Sequence, residues 1–150
     1  MIRFLRVVYV VAIAVVLVLL VIFGVEAFYP SPQYPDYPEP MRAYNSSEYE
    51  EWEQEWIETY TVYEHEAEVH DRNIFFVVLP LGVVFAVVGT FTQRRLSIFG
   101  AGLILGGIGT MISAIVPYDL DNILRFIGIA VILAVLIFVG YKVFFSLRRS

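Results

Sequence analysis

The chain has no cysteine in 150 residues, which excludes disulfides, thiolate metal sites and cysteine nucleophiles together. Any part lying outside a membrane must hold its shape without covalent staples. Histidine is scarce, at two, and ten basic residues against fifteen acidic ones form no continuous basic face. No nucleic-acid footprint follows from that distribution. Charge is also missing where transporters, pumps and intramembrane enzymes need it, because the long apolar stretches hold no ionisable residue at depth. No nucleophile, base and orienter can be assembled within them. We therefore assign no catalytic, cofactor-binding or metal residue and expect no enzyme.

What is present is apolar. Hydrophobic residues make up 59% of the sequence and the mean hydropathy is +0.71, which places the chain in the membrane class. The net charge of −5 hides an asymmetry, since every acid lies between Glu26 and Asp121 while both ends are basic. The pattern predicts an all-α integral membrane protein. It has four transmembrane helices and an extracytoplasmic amphipathic helix continuous with the second span.

In chain order, residues 1–25 form span one, whose uncharged run 7–25 is long enough to cross a hydrocarbon core of about 30 Å. The rival reading is a secretory signal peptide, with Val25, Glu26 and Ala27 loosely matching a cleavage site. The run exceeds the usual apolar region of about 7 to 15 residues, which favours an uncleaved anchor. Residues 26–44 follow as a strap with proline at 30, 32, 35, 38 and 40, extended in the manner of polyproline II. Such a segment suits a proline-recognition groove. The simpler expectation is a spacer that keeps the next helix clear of span one.

Residues 45–73 are acidic and aromatic. Ser47 and Glu50 form a capping box, with Glu48 and Glu51 beside the helix N-terminus. Asn45-Ser46-Ser47 is also a glycosylation sequon, which cap chemistry explains equally well. At about 100° per residue, Tyr49, Trp52, Trp56, Tyr60, Tyr63, Ala67, His70 and Ile74 fall in one stripe and almost every carboxylate lies off it. No proline or glycine separates this segment from span two, residues 74–92, so one continuous rod is expected. Pro80 lies inside that span and removes the bond to the Phe76 carbonyl, predicting a kink.

A short basic turn, 93–95, joins span two to span three at 96–116, making an antiparallel hairpin. Pro117 ends span three, and an outer turn, 117–122, offers Asp119 or Asp121 as cap for span four at 123–145, with Asp121 and Arg125 spaced to pair. A basic tail, 146–150, closes the chain. Seven of the ten basic residues fall on one side, so the positive-inside rule puts both termini in the cytoplasm and residues 26–73 outside. The expected location is the cytoplasmic membrane of a prokaryote.

Span three is rich in glycine, and Gly102 with Gly106 has the four-residue spacing that lets helices approach closely. Gly82, Ala86 and Thr90 give span two a matching small face. These positions pack helices of this one chain or form a homodimer seam, and a four-span bundle needs the former in any case. Thr90, Thr110 and Ser113 can satisfy themselves on backbone carbonyls.

His65, Glu66, Glu68 and His70 resemble the zinc-protease motif, but HEAEVH has one residue too many and sets its histidines about 140° apart on a helix. A solvated acidic face is the better account.

The aromatic stripe needs a cover. A bilayer surface suits it poorly, because ten acids face a single Arg72 in residues 45–73. The same helix of a second subunit suits the coiled-coil-like spacing, and a different protein suits the tyrosines and tryptophans. Tyr49, Trp52, Trp56, Tyr60 and Tyr63 are accordingly the expected partner-binding residues.

The layout is similar to that of claudin-like proteins, yet their tryptophan and paired-cysteine signature cannot exist in this chain, and tetraspanins carry a cysteine-rich second outer loop instead. The function expected is a multi-pass membrane scaffold or accessory subunit, in contact with the lipid bilayer and with a protein partner or its own copies. The alternative is a small oligomeric channel or transporter with a pore near span three.

Overall fold

The computed structural model describes residues 2–36, 47–117 and 120–147. They form four helices and, among the described residues, no strand: α1 (Ile2–Phe28), α2 (Ser47–Thr92), α3 (Ser97–Ile115) and α4 (Asn122–Leu147). All four are long and apolar enough to cross a membrane. The acidic segment and the second apolar stretch are one helix of 46 residues that continues through Pro80, about 69 Å at 1.5 Å per residue. The sequon, the Ser47 cap side chain, Asp119, and the strap beyond residue 36 lie outside the described residues.

The bundle is built around α3, which packs along α2 and α1 and also touches α4. Glycine makes this possible, because two helix backbones can meet only where no side chain stands between them. A Cβ on Gly82 would come within 2.7 Å of the Gly107 carbonyl, and one on Gly107 within 2.6 Å of Ala86 N. Gly89 repeats the pattern nearer the hairpin, 2.7 Å from Ile104 N. On the other side of α3, Gly102 meets Ile13, Gly106 meets Leu17 and Ala14, and Gly109 meets Val18, all on α1. The helix therefore carries one small-residue face for each neighbour.

The α2–α3 hairpin closes over four residues, with Gln93 N bonded to Gly89 O and Leu96 N to Thr92 O, both at 2.9 Å. Gly100 rests on the Gln93 backbone, where any Cβ would collide with it. Hydroxyls inside the bundle are satisfied on their own helices: Thr90 and Thr110 donate to Ala86 O and Gly106 O at 2.8 Å, and Ser113 to Thr110 O at 2.7 Å. Phe75, Met111 and Thr110 are fully buried, with Phe75 packed beside Gly128 of α4.

At the start of α4 the Asp121 carboxylate accepts from Ile123 N at 3.2 Å and so acts as the cap. Arg125 sends Nη2 to the Pro117 carbonyl at 2.7 Å, tying α4 to the end of α3. At the opposite end Lys142 sits over the Phe91 ring, 5.9 Å from its centroid. The outward faces of α1 and α4 are almost wholly apolar, with Phe4, Leu20, Phe23, Phe126, Ile137 and Tyr141 exposed.

Candidate interaction surface of the outer helix

The surface begins where α1 ends. Tyr29 N still donates to Val25 O at 2.7 Å, and the Glu26 carboxylate then accepts from Ser31 N at 3.1 Å and Ser31 Oγ at 2.9 Å. These bonds turn the chain away from the α1 axis and back onto α2.

Tyr29 is the anchor. Its carbonyl accepts from His70 Nε2 at 3.1 Å, and its hydroxyl accepts from Asn73 Nδ2 at 3.1 Å. Because a carbonyl can only accept, Nε2 is the donor in this bond. The two rings stack at 4.8 Å. His70 is 5% exposed, and its other ring nitrogen lies 3.4 Å from Asp71 Oδ1.

From Tyr29 the strap climbs α2 in the opposite direction. Five residues on, the Tyr34 ring sits edge-on to Tyr63 at 5.2 Å and to Tyr60 at 6.2 Å. Five strap residues thus span the ten that separate His70 from Tyr60. An extended proline-rich segment rises about 3.1 Å per residue and an α-helix about 1.5 Å, so the two advance in step. The described part of the strap packs on the helix through Tyr29 and Tyr34. With few backbone donors to offer, it grips through rings.

All five predicted stripe residues lie on this side, and Tyr49, Trp52, Trp56, Tyr60 and Tyr63 are each half-buried. Their rings follow one another along the helix, Tyr49 to Trp52 at 5.5 Å, Trp56 to Tyr60 at 6.1 Å and Tyr60 to Tyr63 at 6.3 Å. Ala67 and His70 close the base of the stripe as buried residues. Glu50, Glu51, Glu53, Glu55, Glu58, Glu64, Glu66 and Glu68 are all exposed. Among the described residues no three histidine or carboxylate side chains are grouped to hold a metal ion.

Gly102 and Gly106 face α1, while Gly82 and Ala86 face Gly107 of α3. Within this chain, then, all four predicted packing residues meet a neighbouring helix. Sequence reasoning overlooked Tyr29, Tyr34 and Asn73. The available signal was the repeated tyrosine-proline step at 29–30, 34–35 and 37–38, aromatic side chains on an extended segment beside an aromatic helix.

Compared with protein-family models, curated proteins and solved structures, the chain matches none, and the functional reading rests on the geometry of this aromatic surface.

Proposed function

We propose that the chain is a non-enzymatic multi-pass protein of a cytoplasmic membrane, with both termini inside and residues 26–73 outside. It serves as a scaffold or accessory subunit that binds a protein partner, or a second copy of itself, through Tyr49, Trp52, Trp56, Tyr60 and Tyr63. The observation that carries this reading is the unbroken α2 helix of 46 residues. It fixes a row of half-exposed aromatic rings at a set distance from the apolar bundle, with residues 48–72 extending about 37 Å. Half-exposed tyrosine and tryptophan give contact area at small entropic cost. The surrounding carboxylates keep the stripe off an anionic lipid surface.

The distribution of basic residues supports the orientation. Lys142 lies over Phe91 at the hairpin end of the bundle, the same end as Arg94 and Arg95. The chain's lack of cysteine makes the test direct. A single cysteine replacing Glu53, beside the stripe, is crosslinked in native membranes with a short bifunctional reagent. A crosslinked adduct is expected, and its loss in a Trp52→Ala, Trp56→Ala background assigns it to the stripe. Monomer alone at every reagent concentration refutes the reading.

A further inference from the structure

The α1 and α2 helices do not pack along one another, and between the outer half of α1 and the middle of α2 lies an open groove of about 540 Å³. Leu20, Gly24 and Phe28 line one wall and Val77, Leu81 and Phe85 the other. Among the described residues that line it, the polar side chains are Tyr29 and Asn73, which stand together at the outer end, bonded to each other at 3.1 Å.

The dimensions select the occupant. Along α2 the groove runs from Asn73 to Phe85, about 18 Å at 1.5 Å per residue, against about 15 Å for one leaflet of a hydrocarbon core. Its volume, taken for the centres of water-sized groups, gives about 30 Å² over that length, or about 60 Å² from wall to wall once a radius of about 1.4 Å is added. A helix with side chains, about 10 Å across, needs about 80 Å², so a helix of a second copy does not fit. An extended peptide would fit by width. It would leave its N–H and C=O groups unpaired against walls that offer no polar partner, which costs several kcal/mol per group, on the order given for apolar surroundings. A hydrocarbon chain is narrow enough to lie in it and carries no such groups.

We propose that this groove binds one acyl chain of a bilayer phospholipid from the leaflet on the acidic-helix side, with its ester end at Tyr29 and Asn73. The inference rests on the membrane reading above. The Tyr29 hydroxyl accepts from Asn73 and keeps its own proton to donate to an ester carbonyl. The same tyrosine anchors the strap, so the lipid site and the outer surface share one residue.

Gly24 supplies the test, because a Cβ there meets nothing within 4 Å, and Gly140 on α4 is equally open. Full-length protein is reconstituted in vesicles of phosphatidylcholine bearing a photoactivatable group in its acyl chain, irradiated and digested. Labelling of residues 20–28 and 74–85 is expected to exceed that of residues 129–138 on α4 at least fivefold. Gly24→Phe should remove this excess and Gly140→Phe should keep it.

Equal labelling of the groove and α4 in the wild-type chain overturns the inference, as does an unchanged excess in an inserted Gly24→Phe. Should that variant fail to insert, Val77→Trp fills the groove from the other wall, and the wild-type ratio decides by itself if neither inserts. Competition by free oleate, with none by unlabelled phosphatidylcholine, would overturn the phospholipid assignment. Carbonate extraction separates the two readings. A chain that stays in the vesicles without selective labelling refutes the groove alone, and one that washes off refutes both.

Discussion

Tyr29 and His70 stand 41 positions apart in the chain, yet their rings stack at 4.8 Å with planes 8° from parallel. The contact joins the end of α1 to the middle of α2, two helices that otherwise meet through α3. Beyond the bundle core, it makes the direction of the acidic part of α2 depend on the end of α1.

Removing the Tyr29 ring tests how much this junction holds. Tyr29→Ala loses the stack and the bond from Asn73, a loss on the order of 1 to 2 kcal/mol. The Ser31 amide, which is bonded to Glu26, should then exchange with deuterium about tenfold faster, tenfold being about 1.4 kcal/mol. Tyr29→Phe keeps the stack and should fall between the two. Unchanged exchange in Tyr29→Ala would mean that the Glu26–Ser31 turn holds the strap unaided.

A backbone-to-backbone approach between α2 and α3 carries the next prediction. Gly107→Leu places a side chain where Ala86 N would be 2.6 Å from its Cβ, and backbone cannot give way as a flexible side chain can. The cost should reach or exceed the upper end of about 1 to 3 kcal/mol for overpacking. Thermal unfolding in mild detergent should show a clear fall for Gly107→Leu and little change for Gly140→Leu, whose Cβ meets open space. Equal effects would refute the assignment of α3 as the central helix.

The four helices and the fusion of the acidic segment with the second apolar stretch were legible in the sequence, because both follow from local rules. Uncharged length marks the apolar helices, and no breaker stands between residues 48 and 73. The small faces were legible as faces, since Gly102 and Gly106 fall on one side of any helix. Which neighbour fills them depends on tertiary arrangement, and spacing alone does not choose between α1 and a second copy. The contact of the strap with α2 was not legible for a related reason. The grip of its described part comes from Tyr29 and Tyr34, and contacts 26 to 44 positions apart leave no periodicity to read. Asp121 and Arg125 show the limit of spacing rules. Their four-residue interval suggested a pair, but the aspartate caps Ile123 while the arginine Nη2 reaches the Pro117 carbonyl.

That cap carries its own prediction. Asp121→Ala leaves Ile123 N without its side-chain acceptor at the first turn of α4 and should destabilise the chain by about 1 kcal/mol. Asp121→Asn, which keeps an oxygen in place, should cost only a few tenths, on the same scale. The check is the unfolding midpoint of both variants in one detergent. An equal drop would assign the effect to charge instead of capping.

Tyr34 bears most directly on the proposed function. It is 60% exposed and touches the stripe through two edge-on ring contacts, each worth about 0.5 to 1.5 kcal/mol. A partner that uses Tyr60 and Tyr63 must displace that ring, so Tyr34 weakens binding by the energy of those contacts. Tyr34→Ala should therefore raise the crosslinked fraction of the Glu53→Cys chain, measured below saturation, by about fivefold or more, since 1 kcal/mol is a factor of about 5. A partner confined to the Tyr49 and Trp52 end would leave the yield unchanged. A fall in yield would make Tyr34 part of the binding surface, and the strap with the helix would then form one composite site. The three outcomes separate competition, independence and cooperation between strap and stripe.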